Sequence, residues 1–100
     1  MPQAQFSEFA NVPAATGFSD PIDVSDLTDK SVQVEGLTGT AEVHGRLDGA
    51  SGFNLIANTA ITNTGMVQIV GTYKEIKVRI VTYASGTPKA FLGARNDRTR

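Results

Sequence analysis

From Asp20 onward the chain alternates apolar and polar residues with a period of two, and no stretch of eleven or more residues holds a helical period. That alternation marks strands with one face in a core and the other in water. Ile22 and Val24 alternate with Asp23 and Ser25, and Val32 and Val34 with Gln33 and Glu35. Ala41, Val43, Gly45 and Leu47 alternate with Glu42, His44, Arg46 and Asp48. Phe53 and Leu55 flank Asn54, which places both on an inner face. Val67 and Ile69, then Ile76, Val78 and Ile80, then Ala90, Leu92 and Ala94 continue the pattern. Past Ile80 the phase blurs, because Val81 and Tyr83 join the opposite face, so a bulge or a strand end covered on both sides is expected there.

Turn chemistry separates the runs, at 26–30, 36–39, 48–52, 63–65, 71–72 and 85–88. Asp48-Gly49 is the most hairpin-like dipeptide among them. About seven or eight strands at near-regular spacing predict an all-β fold, a small antiparallel β-sandwich of jelly-roll or immunoglobulin-like type, over residues 19–96. Residues 1–18 hold two prolines and no sustained period, and are read as an extended N-terminal arm. Phe6 and Phe9 make that arm a segment that docks on something, whether its own domain, a neighbouring subunit or another protein. Residues 97–100 read as a frayed polar tail.

One hundred residues make one small domain with a modest core, and no cysteine is present to staple it. Oligomerisation is then a natural source of extra stability. No apolar run approaches the roughly eighteen residues of a membrane span, and the start lacks a signal-peptide pattern, so no membrane partner is expected. The net charge of −1 hides an asymmetry: residues 1–50 carry eight acids and two bases, residues 51–100 two acids and seven bases. A folded sandwich interleaves these halves, so no nucleic-acid surface is expected; there is no tryptophan and the aromatics are scattered.

Nothing in the sequence selects a catalytic or metal site, and no cofactor is expected. His44 is the single histidine, on the polar face between Glu42 and Arg46, and reads as a solvated or interface residue rather than a triad base. A single histidine without cysteine makes a poor zinc site. Asp20, Asp23, Asp26 and Asp29 recur every three residues, which fails the ligand spacing of an EF-hand loop. The glycines do not open a helix, so they form no phosphate loop.

Two stretches carry a family resemblance, residues 30–49 (KSVQVEGLTGTAEVHGRLDG) and residues 65–92 (GMVQIVGTYKEIKVRIVTYASGTPKAFL). In the second, Gly65, Ile69, Gly71, Tyr73, Ile76, Val78, Ile80, Tyr83, Gly86, Thr87 and Pro88 fit a G-x-x-x-I-x-G-x-Y-x-x-I-x-V-x-[IV]-x-x-Y-x-x-G-T-P pattern. Over about half the chain, these stretches resemble small β-sandwich virion proteins of tailed bacteriophages. The resemblance implies an auxiliary structural role in the virion and no enzymatic activity. It points to a capsid decoration or cement protein, made in the host cytoplasm and bridging copies of the major capsid protein as a small homo-oligomer, with a trimer favoured. A tail, neck or fibre component is the alternative within that class. The Tyr73-x-x-Ile76-x-Val78 strand is also similar to discoidin-like carbohydrate-binding modules, although Phe53 is the single plausible loop-edge aromatic here. Under the virion reading the partner-binding residues are Phe6 and Phe9 as arm anchors, then Lys77 and Arg79 on the polar strand face.

Overall fold

The computed structural model describes residues 3–96, so the tail expected at 97–100 lies outside the described residues. Eight antiparallel strands form one sheet: β1 (Gln3–Glu8), β2 (Gly17–Phe18), β3 (Ile22–Asp23), β4 (Leu27–Arg46), β5 (Asn54–Leu55), β6 (Ile61–Thr62), β7 (Gly65–Ile69) and β8 (Glu75–Asn96). The described residues contain no helix, and so none long and apolar enough to cross a membrane.

Two long strands organise everything else. β4 and β8 pair along their full length, from Leu27↔Asn96 to Arg46↔Glu75. β1, β2 and β3 pair on the free side of β8, and β5, β6 and β7 on the free side of β4. Each half of the chain thus supplies three short strands and a long one, and its short strands pair on the long strand of the other half.

The ribbon of β4 and β8 is folded over. Ile22 pairs with Ile76, and Leu27 pairs with Asn96. The five residues from Ile22 to Leu27 reach no further than about 18 Å. A straight β8 would place Ile76 and Asn96 about 66 Å apart. The two ends of β8 are therefore brought back together, and the six residues from Ile69 to Glu75 do the same for β4. Two layers result. The first leaf has the order β1, β8, β4, β7, and the second has β2 and β3, then β8, β4, then β5 and β6.

The fold-over occurs where turns were expected. The glycine-bearing segments at 36–39 and 85–88 are not loops; they face one another inside the long strands, Leu37↔Gly86 and Thr38↔Ser85, with register shifts on both sides. Gly36 (φ +73°) and Gly86 (φ +103°) hold backbone conformations that a side chain strains, and a Cβ at Gly36 would lie 2.5 Å from the Thr87 carbonyl oxygen. The blurred phase after Ile80 belongs to the same region. Thr40 pairs with Thr82 and Ala41 with Ile80, leaving Val81 as the extra residue of a bulge.

The inner faces form one apolar cluster. Val32, Val34, Ala90 and Leu92 of the first leaf join Val43, Ile76, Val78 and Ile80 of the second, all essentially without solvent contact. Within the arm expected at 1–18, two described segments belong to the sheet: β1 pairs with residues 91–96 of β8, and β2 with Ile80 and Arg79. Phe9, expected as an anchor for a partner, is 2% exposed and part of this core. Its N–H donates to the Ala90 carbonyl at 2.9 Å, which turns the end of β1 inward.

Register also corrects the reading of Phe53 and Leu55. Leu55 pairs with His44, an outward position, so Leu55 faces out and the next residue, Ile56, fills the core. A one-residue slip exchanges the faces of the whole segment. The edges of the second leaf are closed by hydroxyls. The Val78 N–H donates to Ser19 Oγ at 3.0 Å and the Val43 N–H to Thr59 Oγ1 at 3.1 Å, and both hydroxyl residues are buried.

Candidate interaction surface

The outer face of the second leaf is built from cross-strand pairs of charged residues: Glu42 opposite Arg79, His44 opposite Lys77, and Arg46 opposite Glu75. Alternation puts all six on the polar side of strands whose other side is Ala41, Val43, Ile76 and Val78. Glu42 Oε1 accepts from His44 Nε2 at 2.8 Å and from Arg79 Nη1 at 3.3 Å, while Arg46 Nε donates to Glu75 Oε1 at 2.7 Å.

Two phenylalanines roof this face. Phe18 comes from β2 and Phe53 from the loop before β5. The Lys77 ammonium sits between them, 4.2 Å from one ring centroid and 4.1 Å from the other. Arg79 lies over Phe18 and Arg46 over Phe53, and the Phe18 ring meets the His44 imidazole edge-on at 5.2 Å. His44 is therefore buried beneath an aromatic rather than solvated. The cations of this face are matched to carboxylates and rings of the chain itself.

The outer face of the first leaf is bare. Phe6, Met66 and Phe91 surround Gly93, Ser31 and Gln33 in a groove of about 570 Å³. Phe6 is 81% exposed and Met66 62% exposed. The Phe6 ring lies over Gly93, where no side chain stands between it and the sheet. Polar groups rim the groove, with Glu8 beside Phe91 and the Asp29–Arg95 ion pair (3.2 Å) at the far end. Large exposed apolar groups with a polar rim are the usual composition of a protein docking surface.

Behind this leaf Lys30 is 2% exposed, its ammonium donating to the Gly71 carbonyl at 3.0 Å and the Leu27 carbonyl at 3.4 Å. Burial pushes its pKa down, and Asp29 opposes that shift. The four aspartates at 20–29 do not converge. Asp20 accepts from Asn11, Asp29 pairs with Arg95, and Asp23 accepts from Ser25 and pairs with Lys74. The Ser25 hydroxyl and N–H, then Lys74, hold the Asp23 carboxyl at about 2.

Of the residues read from the sequence as partner-binding, Phe6 lines the bare groove, Phe9 is core, and Lys77 and Arg79 lie on the roofed leaf, so the four are not brought together. Met66 and Phe91 lie outside the set of partner-binding residues that the sequence suggests. Their signal was a large apolar side chain on the phase that alternation otherwise reserves for polar residues: Phe91 beside Leu92, and Met66 beside Val67.

No protein-family model and no curated protein matches this chain. Solved structures do share its fold. The SPBc2 prophage-derived protein YomS superposes with a TM-score of 0.71 at 10% identity, covering 95% of both chains. A subunit of the Bacillus endospore appendages, described as a family of disulfide-linked pili, superposes with a TM-score of 0.50 at 10% identity, covering 96% of this chain and 87% of that one.

Proposed function

We propose that the chain is a structural protein of a bacteriophage virion, a capsid decoration or cement protein that binds the major capsid protein and carries no catalytic activity. The observation that supports this most is the bare groove of Phe6, Met66 and Phe91 on the outer face of the first leaf, in a fold shared end to end with a prophage-derived protein. The ionisable groups of the second leaf are engaged with one another, which suits a rigid building block.

The mechanism is passive. A protein that binds the assembled shell and not its separated subunits stabilises the shell by linkage, by RT ln(1 + [L]/Kd) at each site, where [L] is its free concentration. The groove supplies apolar area, while the rim charges Glu8 and the Asp29–Arg95 pair orient the contact. Quantitative mass spectrometry of purified particles, released by the host that carries the coding sequence, tests this. The expected result is a fixed ratio of this chain to the major capsid protein. Absence from the particles sinks the proposal, and a ratio of only a few copies per particle moves it to the neck or tail.

A further inference from the structure

The two outermost strands of the first leaf are unpaired on their outer sides: β1 bonds to β8 alone and β7 to β4 alone among the described residues. The phase of their backbone groups can be read through the sheet. The Phe9 N–H donates to Ala90, so Ser7 and Gln5 also face β8, while Ala4, Phe6 and Glu8 turn their N–H and C=O to the open side. On β8, Leu92 then faces β1, and Phe91 and Gly93 face β4 through Gln33 and Ser31. Val32 and Val34 therefore face β7, opposite Val67 and Gly65, which leaves Met66 and Gln68 with their backbone groups on the open side.

These two edges match. They are six and five residues long. Their exposed apolar side chains, Phe6 and Met66, stand on the same outer face. Directions alternate across β1, β8, β4 and β7, so β7 of one copy meets β1 of an identically oriented second copy antiparallel, without breaking the alternation. Natural sheets guard open edges with prolines, lysines or bulges. Glu8 is the single charged residue within these two strands, and neither contains proline. The second leaf shows what guarding looks like in this chain: its edge strands are two residues long, broken by Pro21, with hydroxyls taking the ladder positions.

We propose that copies of this chain join head to tail by pairing β1 of one copy with β7 of the next, extending the first leaf into a continuous antiparallel sheet across the junction. Met66 of one copy then packs beside Phe6 of its neighbour, a cross-strand apolar pair neither strand has alone. The contact is heterologous, so it closes into a ring when the rotation between copies divides a full turn. This goes beyond the virion role and does not depend on it, since the open edges are a property of the chain whatever it binds.

Light scattering coupled to size exclusion tests the proposal, with the whole chain at its highest soluble concentration. Wild type is expected to elute at a multiple of the chain mass. An Ala4→Pro/Glu8→Pro variant removes open-side donors of β1 alone, and Gln68→Pro removes one from β7 alone, so the internal ladders stay intact. Each is expected to drop the mass to that of one chain while thermal unfolding stays cooperative. Where a proline variant fails to fold, Phe6→Lys and Met66→Lys set a charge at the junction and leave the backbone unchanged, with the same expected loss of mass. A monomeric wild type overturns the proposal. So does dissociation by variants of one edge only, which identifies a two-fold β1–β1 or β7–β7 pairing, and so does an assembly that no variant dissociates.

Discussion

The two leaves are made from the same two strands and contribute to the same core, yet they end differently. The second leaf finishes its edges with two-residue strands and buried hydroxyls, and it covers its outward charges with its own Phe18 and Phe53. The first leaf leaves longer edges open and turns Phe6 and Met66 to solvent. The inner faces do not distinguish them, since both are β-branched and aliphatic. The inward phase of the alternation sets the fold, while the outward phase decides what each layer presents for contact.

The largest expected effect comes where the leaves join. Gly86→Ala places a Cβ against the Gly36 carbonyl in a backbone conformation that side chains rarely adopt. A loss on the order of 3 kcal/mol is expected in urea unfolding, and it should remove both leaves in one transition. A loss below about 0.5 kcal/mol, the range of neutral surface changes, is incompatible with a fold-over held at these glycines.

Sealing of the second leaf is the next most costly feature to undo. Thr59→Val keeps the shape but removes the acceptor for the Val43 N–H, and about 2 kcal/mol should be lost. Ser7→Ala on the open β1 edge is the matched control, at under about 0.5 kcal/mol, because Ser7 is exposed. Equal losses at the two positions erase the distinction between a sealed and an open edge.

Much of this was legible in the alternation. Most inward positions from Ile22 to Ala94, the all-β class and the Asp48-Gly49 turn can be read without coordinates, since period two and turn chemistry are local signals; Leu47 and Leu55, on the apolar phase, are exposed instead. Gly36 and Gly86 misled because glycine marks both a reversal of the chain and a bulge within a strand; only the pairing partner, here the opposite glycine-bearing segment, separates the two. Phe9 and Phe53 misled for a different reason. Phe9 keeps the inward phase of β1, opposite Ala90, but the first eighteen residues hold no sustained period to reveal it, and Phe53 sits in a loop, where side-chain direction follows the path of the backbone. The groove was half visible, in Phe6 and in the unexplained outward phase of Met66 and Phe91. Its assembly from four strands, β1, β4, β7 and β8, is a product of register.

Below these effects lie the outer faces themselves. Lys77→Ala withdraws the ammonium from between Phe18 and Phe53 and should cost about 1 kcal/mol, since a cation over a partly desolvated ring contributes about that much. Phe6→Ser should change the unfolding free energy of the single chain by under about 0.5 kcal/mol, because its ring is almost wholly exposed. If Phe6→Ser instead destabilises the isolated chain more than Lys77→Ala does, the ring is structural and the first leaf is not a free surface.

The smallest differences are read by pH, one group from each leaf. Lys30, behind the first leaf, has a folded-state pKa lowered by burial from its ordinary 10.5. Between that lowered value and 10.5 the unfolded chain holds a proton that the folded chain has released, so stability rises with pH across the window. Lys30→Met should abolish the rise. Asp23, at the rim of the second leaf, runs the opposite way: its carboxyl is held at about 2 against an ordinary 3.8. Its contribution is complete above the unfolded value and is lost as pH falls from about 4 towards about 2, where the unfolded chain binds the extra proton. The side chain is 54% exposed, so solvent screening limits the loss to a few tenths of a kcal/mol. Urea unfolding of wild type and Asp23→Asn at matched pH values across that interval should show a steeper acid loss for wild type. Superimposable acid limbs would mean that the Ser25 and Lys74 contacts do not outlast solvation, and that the second leaf is sealed by its hydroxyls and rings alone.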